Sequence, residues 1–172
     1  MAKPFKAKRG KVVARLSTQE RHVLGYVCDE LTLVLADPAE DPDVPDWARE
    51  LGLAGVGRER PAPQDPVVAR LLPDAYEDPE RASEFRRLTE AGLRATKLAH
   101  IASVRSALGE EDADITATTR AWLAFLADAR LMLGTRLEIT EEDEMEPTDD
   151  PQYNLYLYLG FLQQALVEEL MG

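Results

Sequence analysis

Cysteine is nearly absent: the 172 residues hold one, Cys28. No disulfide can form within these residues, which excludes a disulfide scaffold and leads us to expect a reducing, cytoplasmic setting. Histidine is almost as scarce, with only His22 and His100. No Cys or His pair has metal-ligand spacing, so neither a metal nor a cofactor is expected. The 10 glycines form no phosphate loop, dinucleotide fingerprint or nucleophile elbow. Nothing supplies the second group that a His–carboxylate or His–Cys mechanism needs, so the chain is not expected to be an enzyme. Long apolar runs are missing too. The longest, Leu155 to Leu162, is too short to span a bilayer, and the basic N-terminus lacks the apolar segment of a signal peptide. Positive charge is in deficit, with 20 Lys and Arg against 32 Asp and Glu and a net charge of −12. That balance disfavours non-specific binding to nucleic acid or anionic lipid over most of the surface.

What remains is a chain that is 45% apolar and 30% charged, enough for a core in a single domain over residues 1–172. The charge is unevenly placed. Residues 1–16 carry Lys3, Lys6, Lys8, Arg9, Lys11 and Arg15 and no acid, so this leader is +6 and residues 17–172 are −18. Arg9-Gly10 reads as a turn and Val12-Val13 as strand, giving a basic leader with short strands. It is either a frayed, solubilising terminus or an arm that touches a phosphate backbone or an acidic partner.

Ser17 and Glu20 form a capping-box pattern ahead of a helix whose apolar stripe runs from Val23 to Leu35. Residues 37–65 form a Pro/Gly-rich loop that includes Pro42, Gly52 and Gly55, with a short helical turn near Asp46 to Leu53 anchored by Trp47. Asp65-Pro66, Asp78-Pro79 and Asp150-Pro151 each place an N-cap before a proline suited to the first helical position. They predict helices over Pro66 to Leu72, Pro79 to Leu108 and Pro151 to about Met171. A further helix runs from about Thr116 to Leu133, closed by Gly134. Arg136 to Thr140 is a candidate strand, and 138–150 is an acidic loop that includes Glu144. The expected fold is therefore mainly α: a compact domain of about five helices with a small N-terminal β element that has 136–140 as its candidate partner.

Cys28 lies in the apolar stripe of the first helix. It reads as a small buried hydrophobe, and a redox role is disfavoured because sensing needs an exposed, electropositive thiol. On the helix from Pro79, the residues Arg86, Arg87, Arg94, Lys97 and Arg105 fall on one strip with Glu90, a net +4. Phe85, Leu88, Ala91, Gly92, Ala95, Ala99 and Ala102 fall on the other side as a small-residue seam suited to close packing. The strip is a docking face for a phosphate backbone or acidic partner, or else a solvated face neutralised by the acidic loop. Ile101, Val104 and Leu108 share its direction and narrow it into buried surface. The candidate partner- or phosphate-binding residues are thus Lys6, Lys8, Arg9, Lys11, Arg86, Arg87, Arg94 and Lys97. Residues 117–133 and 151–171 are apolar around most of their helix axes, which suggests central helices or a homodimer face. Asp128 and Arg130, with Arg136, are expected to form structural ion pairs.

Three segments carry a resemblance: DPVVARLLPDAYEDPERASEFRRLTEAGLRATK (Asp65 to Lys97), WLAFLADARLMLGTRLEIT (Trp122 to Thr140) and YNLYLYLGFLQQALVEEL (Tyr153 to Leu170). With the N-terminal strand, Glu20 and the leucine-rich helix, the chain resembles an actinobacterial family of AosR-like oxidative-stress transcriptional regulators, long catalogued as a domain of unknown function. The resemblance implies a non-enzymatic regulator that binds a protein partner, a sigma factor, in preference to DNA alone, linked to cysteine-biosynthesis genes. Gene neighbourhood in the family raises an alternative, an adaptor in Clp-type proteolysis with 37–65 as its capture loop. The family's thiol switch uses a CxxxxC pair. Cys28 stands alone here, so that mechanism does not carry over.

Overall fold

The computed structural model describes residues 2–38, 43–51, 53–143 and 146–172. Pro42 and Gly52 of the expected loop and Glu144 of the acidic stretch lie outside the described residues. The chain is mainly helical, with six α-helices and a three-stranded antiparallel sheet among the described residues.

The first two strands, β1 (Phe5–Lys8) and β2 (Lys11–Arg15), form a hairpin in the register Lys8↔Lys11. Arg9 and Gly10 both take positive φ, 54° and 76°, the turn twist that matches right-handed strands. The third strand corrects the sequence expectation. It is β3 (Asp112–Asp114), paired antiparallel to β2, and not 136–140. Two aspartates in three residues carry little strand propensity, so local sequence does not announce it. Cross-strand charge selects it instead: Arg15 Nε lies 3.6 Å from Asp112 and Lys11 Nζ 3.2 Å from Asp114, while Ala113 faces inward opposite Ala14.

The helices are α1 (Thr18–Leu35), α2 (Asp46–Glu50), α3 (Pro66–Leu71), α4 (Pro79–Ala107), α5 (Thr119–Arg136, after one 3₁₀ turn at Thr116–Thr118) and α6 (Pro151–Met171). Their starts follow their caps. The Ser17–Glu20 box is closed in both directions. Asp65, Asp78 and Asp150 accept hydrogen bonds from the backbone N–H groups of Val67, Glu80 and Gln152. Trp47, the expected anchor of the short turn, is 61% exposed, and Ala48 is the buried residue of α2.

Helix α5 is the centre of the fold. Trp122, Phe125, Leu126, Ala129, Met132 and Leu133 are buried around it, and it packs against α1, α3, α4 and α6. Phe5 from β1 meets Trp122 edge-on with ring centroids 5.6 Å apart, which locks the sheet onto this helix. α5 does not stop at Gly134. A Cβ at Gly134 would come within 3.2 Å of the Tyr156 ring, so the glycine makes room for a close approach of α6. The helix ends two residues later, at Arg136, in a Schellman motif. The Glu138 N–H donates to the Thr135 carbonyl at 3.2 Å and the Ile139 N–H to the Gly134 carbonyl at 2.9 Å. Residues 136–140 therefore close a helix and leave no segment free for a strand.

Glu138 occupies the left-handed position of that motif at φ 54°, a conformation that costs a side-chain residue about 1 kcal/mol. Glu138→Gly should raise the unfolding free energy by about 0.5–1 kcal/mol after the entropic cost of glycine. Urea denaturation measures this, and a loss of stability would show that the position is unstrained.

Candidate functional site

The 37–65 loop does not lie loose on the surface where it is described. Arg60 reaches inward with its side chain 3% exposed. It donates from Nη1 and Nη2 to the two carboxylate oxygens of Asp37 at 2.9 and 2.7 Å, and from Nη1 to Glu90 Oε2 on α4 at 2.6 Å. Arg94 Nε reaches the same Glu90 oxygen at 3.4 Å, and its Nη1 donates to the carbonyl of Ala36 at 3.0 Å, just past the end of α1. One carboxylate thus joins two guanidinium groups, and Arg94 satisfies backbone acceptors at a helix end that lacks a basic cap of its own. The hydrogen bonds that Arg60 donates to Asp37 and to Glu90 hold its pKa above its ordinary value against the opposing effect of burial. Gly55 makes the arrangement possible, since its φ is +75° and a Cβ there would lie 2.6 Å from Arg60 Nη2. A backbone hydrogen bond from Gly57 to the Arg87 carbonyl at 2.9 Å holds the loop to α4 nearby. Beside this cluster lies a cavity of about 490 Å³, lined by Thr32, Ala36, Ala91, Ala95 and Leu98 with Asp37 and Arg94 among its walls.

This corrects the expected orientation of α4. Its buried face holds Ala82, Glu90, Ala91, Arg94, Ile101 and Val104, so the basic strip points largely inward and Leu88, Ala99 and Ala102 point out. Arg94 is buried and is not part of an exposed docking face. Its neighbours on the strip are paired within the chain: Arg86 with Asp74, Arg87 with Glu84, Lys97 with Asp128 at 2.8 Å and Arg105 with Asp29 at 2.7 Å. The acidic loop supplies none of these partners. The one sequence signal for the inversion is the placement of Ile101, Val104 and Leu108 on the strip's own side.

The N-terminal candidates behave differently. Lys6, Lys8 and Arg9 are exposed on the hairpin, and Lys11 pairs with Asp114 across the sheet. The hairpin is tied to α6 by Glu169, which accepts from Lys3 Nζ at 2.7 Å and from the Ala7 N–H at 2.9 Å. Beyond that tie, Phe161, Leu170 and Met171 of α6 are exposed. The expectation of a shared core is thereby narrowed: α5 is covered by its own chain, and the uncovered apolar surface lies on α6.

The three residues expected to form structural ion pairs separate. Asp128 joins Lys97, and Arg136 joins Glu30 of α1 at 2.9 Å. Arg130 is the correction: it meets no carboxylate among the described residues. Gln163 Oε1 and Tyr156 OH accept from its guanidinium at 3.1 and 3.3 Å, and the group lies 5.1 Å from the Tyr156 ring centre. Sequence reasoning missed Tyr156 and Gln163 because each lies one helix away from Arg130.

Cys28 is wholly buried in the core. Burial pushes its thiol up to about 11, with Arg105 opposing and Asp29 adding to the shift. Among the described residues no group of three or more His, Cys, Asp or Glu is arranged to hold a metal, and no helix is long and apolar enough to cross a membrane. The buried carboxylates of the loop cluster accept hydrogen bonds from guanidinium groups. The arrangement is dominated by internal ion pairs.

The chain belongs to the family described as a domain of unknown function (DUF2017), whose model matches residues 2–170. Among curated proteins it is similar to two named oxidative stress regulator AosR, from Mycobacterium tuberculosis (strain ATCC 25618 / H37Rv) and Mycobacterium bovis. Each is 30% identical over 131 residues, which is 64% of this chain and 60% of the relative. The chain therefore matches less than two thirds of the length of those relatives. No solved structure matches it.

Two tests follow from this geometry. Glu90→Ala leaves Arg60 and Arg94 facing each other without their shared carboxylate, and should lower the unfolding free energy by about 3 kcal/mol in urea denaturation. A loss below about 1 kcal/mol would mean that water reaches the cluster. For Cys28, alkylation by iodoacetamide at pH 8 should run about 100-fold slower than for an exposed cysteine, rise with pH towards 11 and become fast in denaturant. Rapid labelling of the folded protein would contradict the burial.

Proposed function

We propose that this chain is a non-enzymatic regulator of the oxidative-stress response that acts by binding a protein partner. The observation that carries the reading is its likeness to relatives named oxidative stress regulators within the same family. The exposed surface adds to it. Lys6, Lys8 and Arg9 project from a hairpin that is fixed to α6, next to the exposed Phe161, Leu170 and Met171. A basic edge beside exposed apolar side chains suits an acidic, amphipathic segment of a protein. In its finer form the proposal sets the protein in the cytoplasm, with a sigma factor as partner in preference to DNA alone and cysteine-biosynthesis genes as the output. A homodimer through α6 is the competing use of the same apolar side chains. Since Cys28 is single and buried, the signal is carried by binding and not by a disulfide within these residues.

The test is the transcript response of the native host to an oxidant, compared between the wild type, a deletion strain and a strain carrying Lys6→Glu, Lys8→Glu and Arg9→Glu together. The deletion and the charge-reversed hairpin are both expected to lose at least half of the induction, with the variant folded by circular dichroism. An unchanged response in the deletion strain would overturn the regulatory reading. An unchanged response in the variant alone would remove the hairpin from the interface.

A further inference from the structure

Arg130 reaches from α5 towards α6. Its guanidinium is partly buried between α5 and α6 with no carboxylate beside it, and its Nε is buried with no hydrogen-bond acceptor. The surroundings are shaped to receive it. A Cβ at Gly160 on α6 would lie 3.2 Å from Arg130 Nε, as a Cβ at Gly134 on α5 would lie 3.2 Å from Tyr156. Each helix thus gives up a side chain where the other inserts one, although glycine inside a helix costs about 1 kcal/mol relative to alanine. Arg130 and Tyr156 then border a cleft of about 240 Å³ whose other walls include Arg70, Gln163 and Ile139. Arg70 comes from α3 and is exposed; it meets no acceptor among the described residues.

The hydrogen-bonding capacity of this cleft is one-sided. Gln163 Oε1 and the Tyr156 oxygen already accept from Arg130. What remains unused is the amide N–H₂ of Gln163, the O–H of Tyr156, the free N–H groups of Arg130 and all those of Arg70. Among the described residues no acid lines the cleft, in a chain with 32 of them, although the neighbouring groove that shares Arg130 runs on to Glu168. Two guanidinium groups with a set of free donors and no resident carboxylate form a receptor for an oxyanion, because guanidinium matches carboxylate and phosphate through paired N–H bonds.

The geometry points to a binding site for a small-molecule oxyanion, a carboxylate or phosphate group, between Arg70, Arg130, Tyr156 and Gln163. The amide of Gln163 and the hydroxyl of Tyr156 orient Arg130 and complete the donor set. Arg70 closes the site from α3, so occupancy ties α3 to the α5–α6 pair. This site is separate from the hairpin surface and does not rest on the regulatory reading.

The experiment titrates the full chain with inorganic phosphate, with succinate and with sodium chloride at matched ionic strength. Binding is followed by the NMR signals of the arginine Nε–H groups and by isothermal calorimetry. Phosphate, succinate or both are expected to shift the Arg130 signal in a saturable way, and chloride is not. Saturation with phosphate alone identifies a phosphoryl ligand, with succinate alone a carboxylate ligand, and with both the shared oxyanion chemistry. Arg130→Gln and Arg70→Gln should each weaken binding about tenfold, and Arg120→Gln, at an exposed site on α5, should leave it unchanged. Tyr156→Phe keeps the ring against Gly134 and removes only the hydroxyl, so it should weaken binding without unfolding the protein. No saturable shift beyond that of chloride overturns the site, as does binding that survives both Arg130→Gln and Arg70→Gln.

Discussion

The fold is organised by the need to cover α5. A helix that carries Trp122, Phe125, Leu126, Met132 and Leu133 around most of its circumference leaves little of it for water. Every large element has to find a place against it. α4 and α6 flank it, α3 and α1 complete the enclosure, and the sheet reaches it through Phe5 on Trp122. The polar residues that interrupt α5 are accommodated at the seams between helices. Asp128 meets Lys97 on α4, Arg130 meets Tyr156 and Gln163 on α6, and Arg136 meets Glu30 on α1. Each such contact fixes the rotation of one neighbour relative to the central helix, so packing and polar matching select the same arrangement.

A second constraint is the handling of positive charge in a strongly acidic chain. Cations are scarce enough that most are drawn to carboxylates of the same molecule, and the geometry of those pairs decides what is left for partners. The loop after α1 is held down because Arg60 finds Asp37 and Glu90. α4 turns its arginines inward because Asp74, Glu90 and Asp128 wait on that side. Among the described residues, two groups of neighbouring cations escape this neutralisation. One is the hairpin edge with Lys6, Lys8 and Arg9, and the other is the cleft with Arg70 and Arg130. A net charge of −12 therefore describes the molecule poorly at the two spots where an anion or an acidic segment could be received.

This chain has its one thiol sealed in the core, and its buried carboxylates neutralise guanidinium groups. Among its solvent-facing features are a basic hairpin, exposed apolar side chains on α6 and a donor-lined cleft. Membership of the DUF2017 family and likeness to oxidative stress regulators in mycobacteria agree in direction with that inventory. Within these residues the lone cysteine removes an intramolecular disulfide as the sensing device.

Much of the architecture was legible in the sequence because the signals are short-ranged. A Ser–Glu box, three Asp-Pro pairs and an Arg-Gly turn act over one to four residues, and each lies where the described backbone starts a helix or reverses a strand. The single cysteine and the apolar circumference of α5 were equally plain. The remainder depended on residues brought from far along the chain. Glu90 and Arg60 are 30 residues apart, Arg94 and Ala36 are 58 apart, and Arg130 and Gln163 are 33 apart. No periodicity on α4 reveals that its arginines have carboxylates waiting inside, so the strip read as solvent-facing. No local propensity makes a strand of Asp-Ala-Asp; Lys11 and Arg15 of β2 do. Likewise Gly134 reads as a helix stop until Tyr156 is set against it. The sequence by itself determined where the elements begin, that a central helix must be enclosed and that no disulfide can form. Only the tertiary structure decided which charges are buried and which stay open to a ligand, because the cost of burying a charge depends on the partner that folding brings beside it.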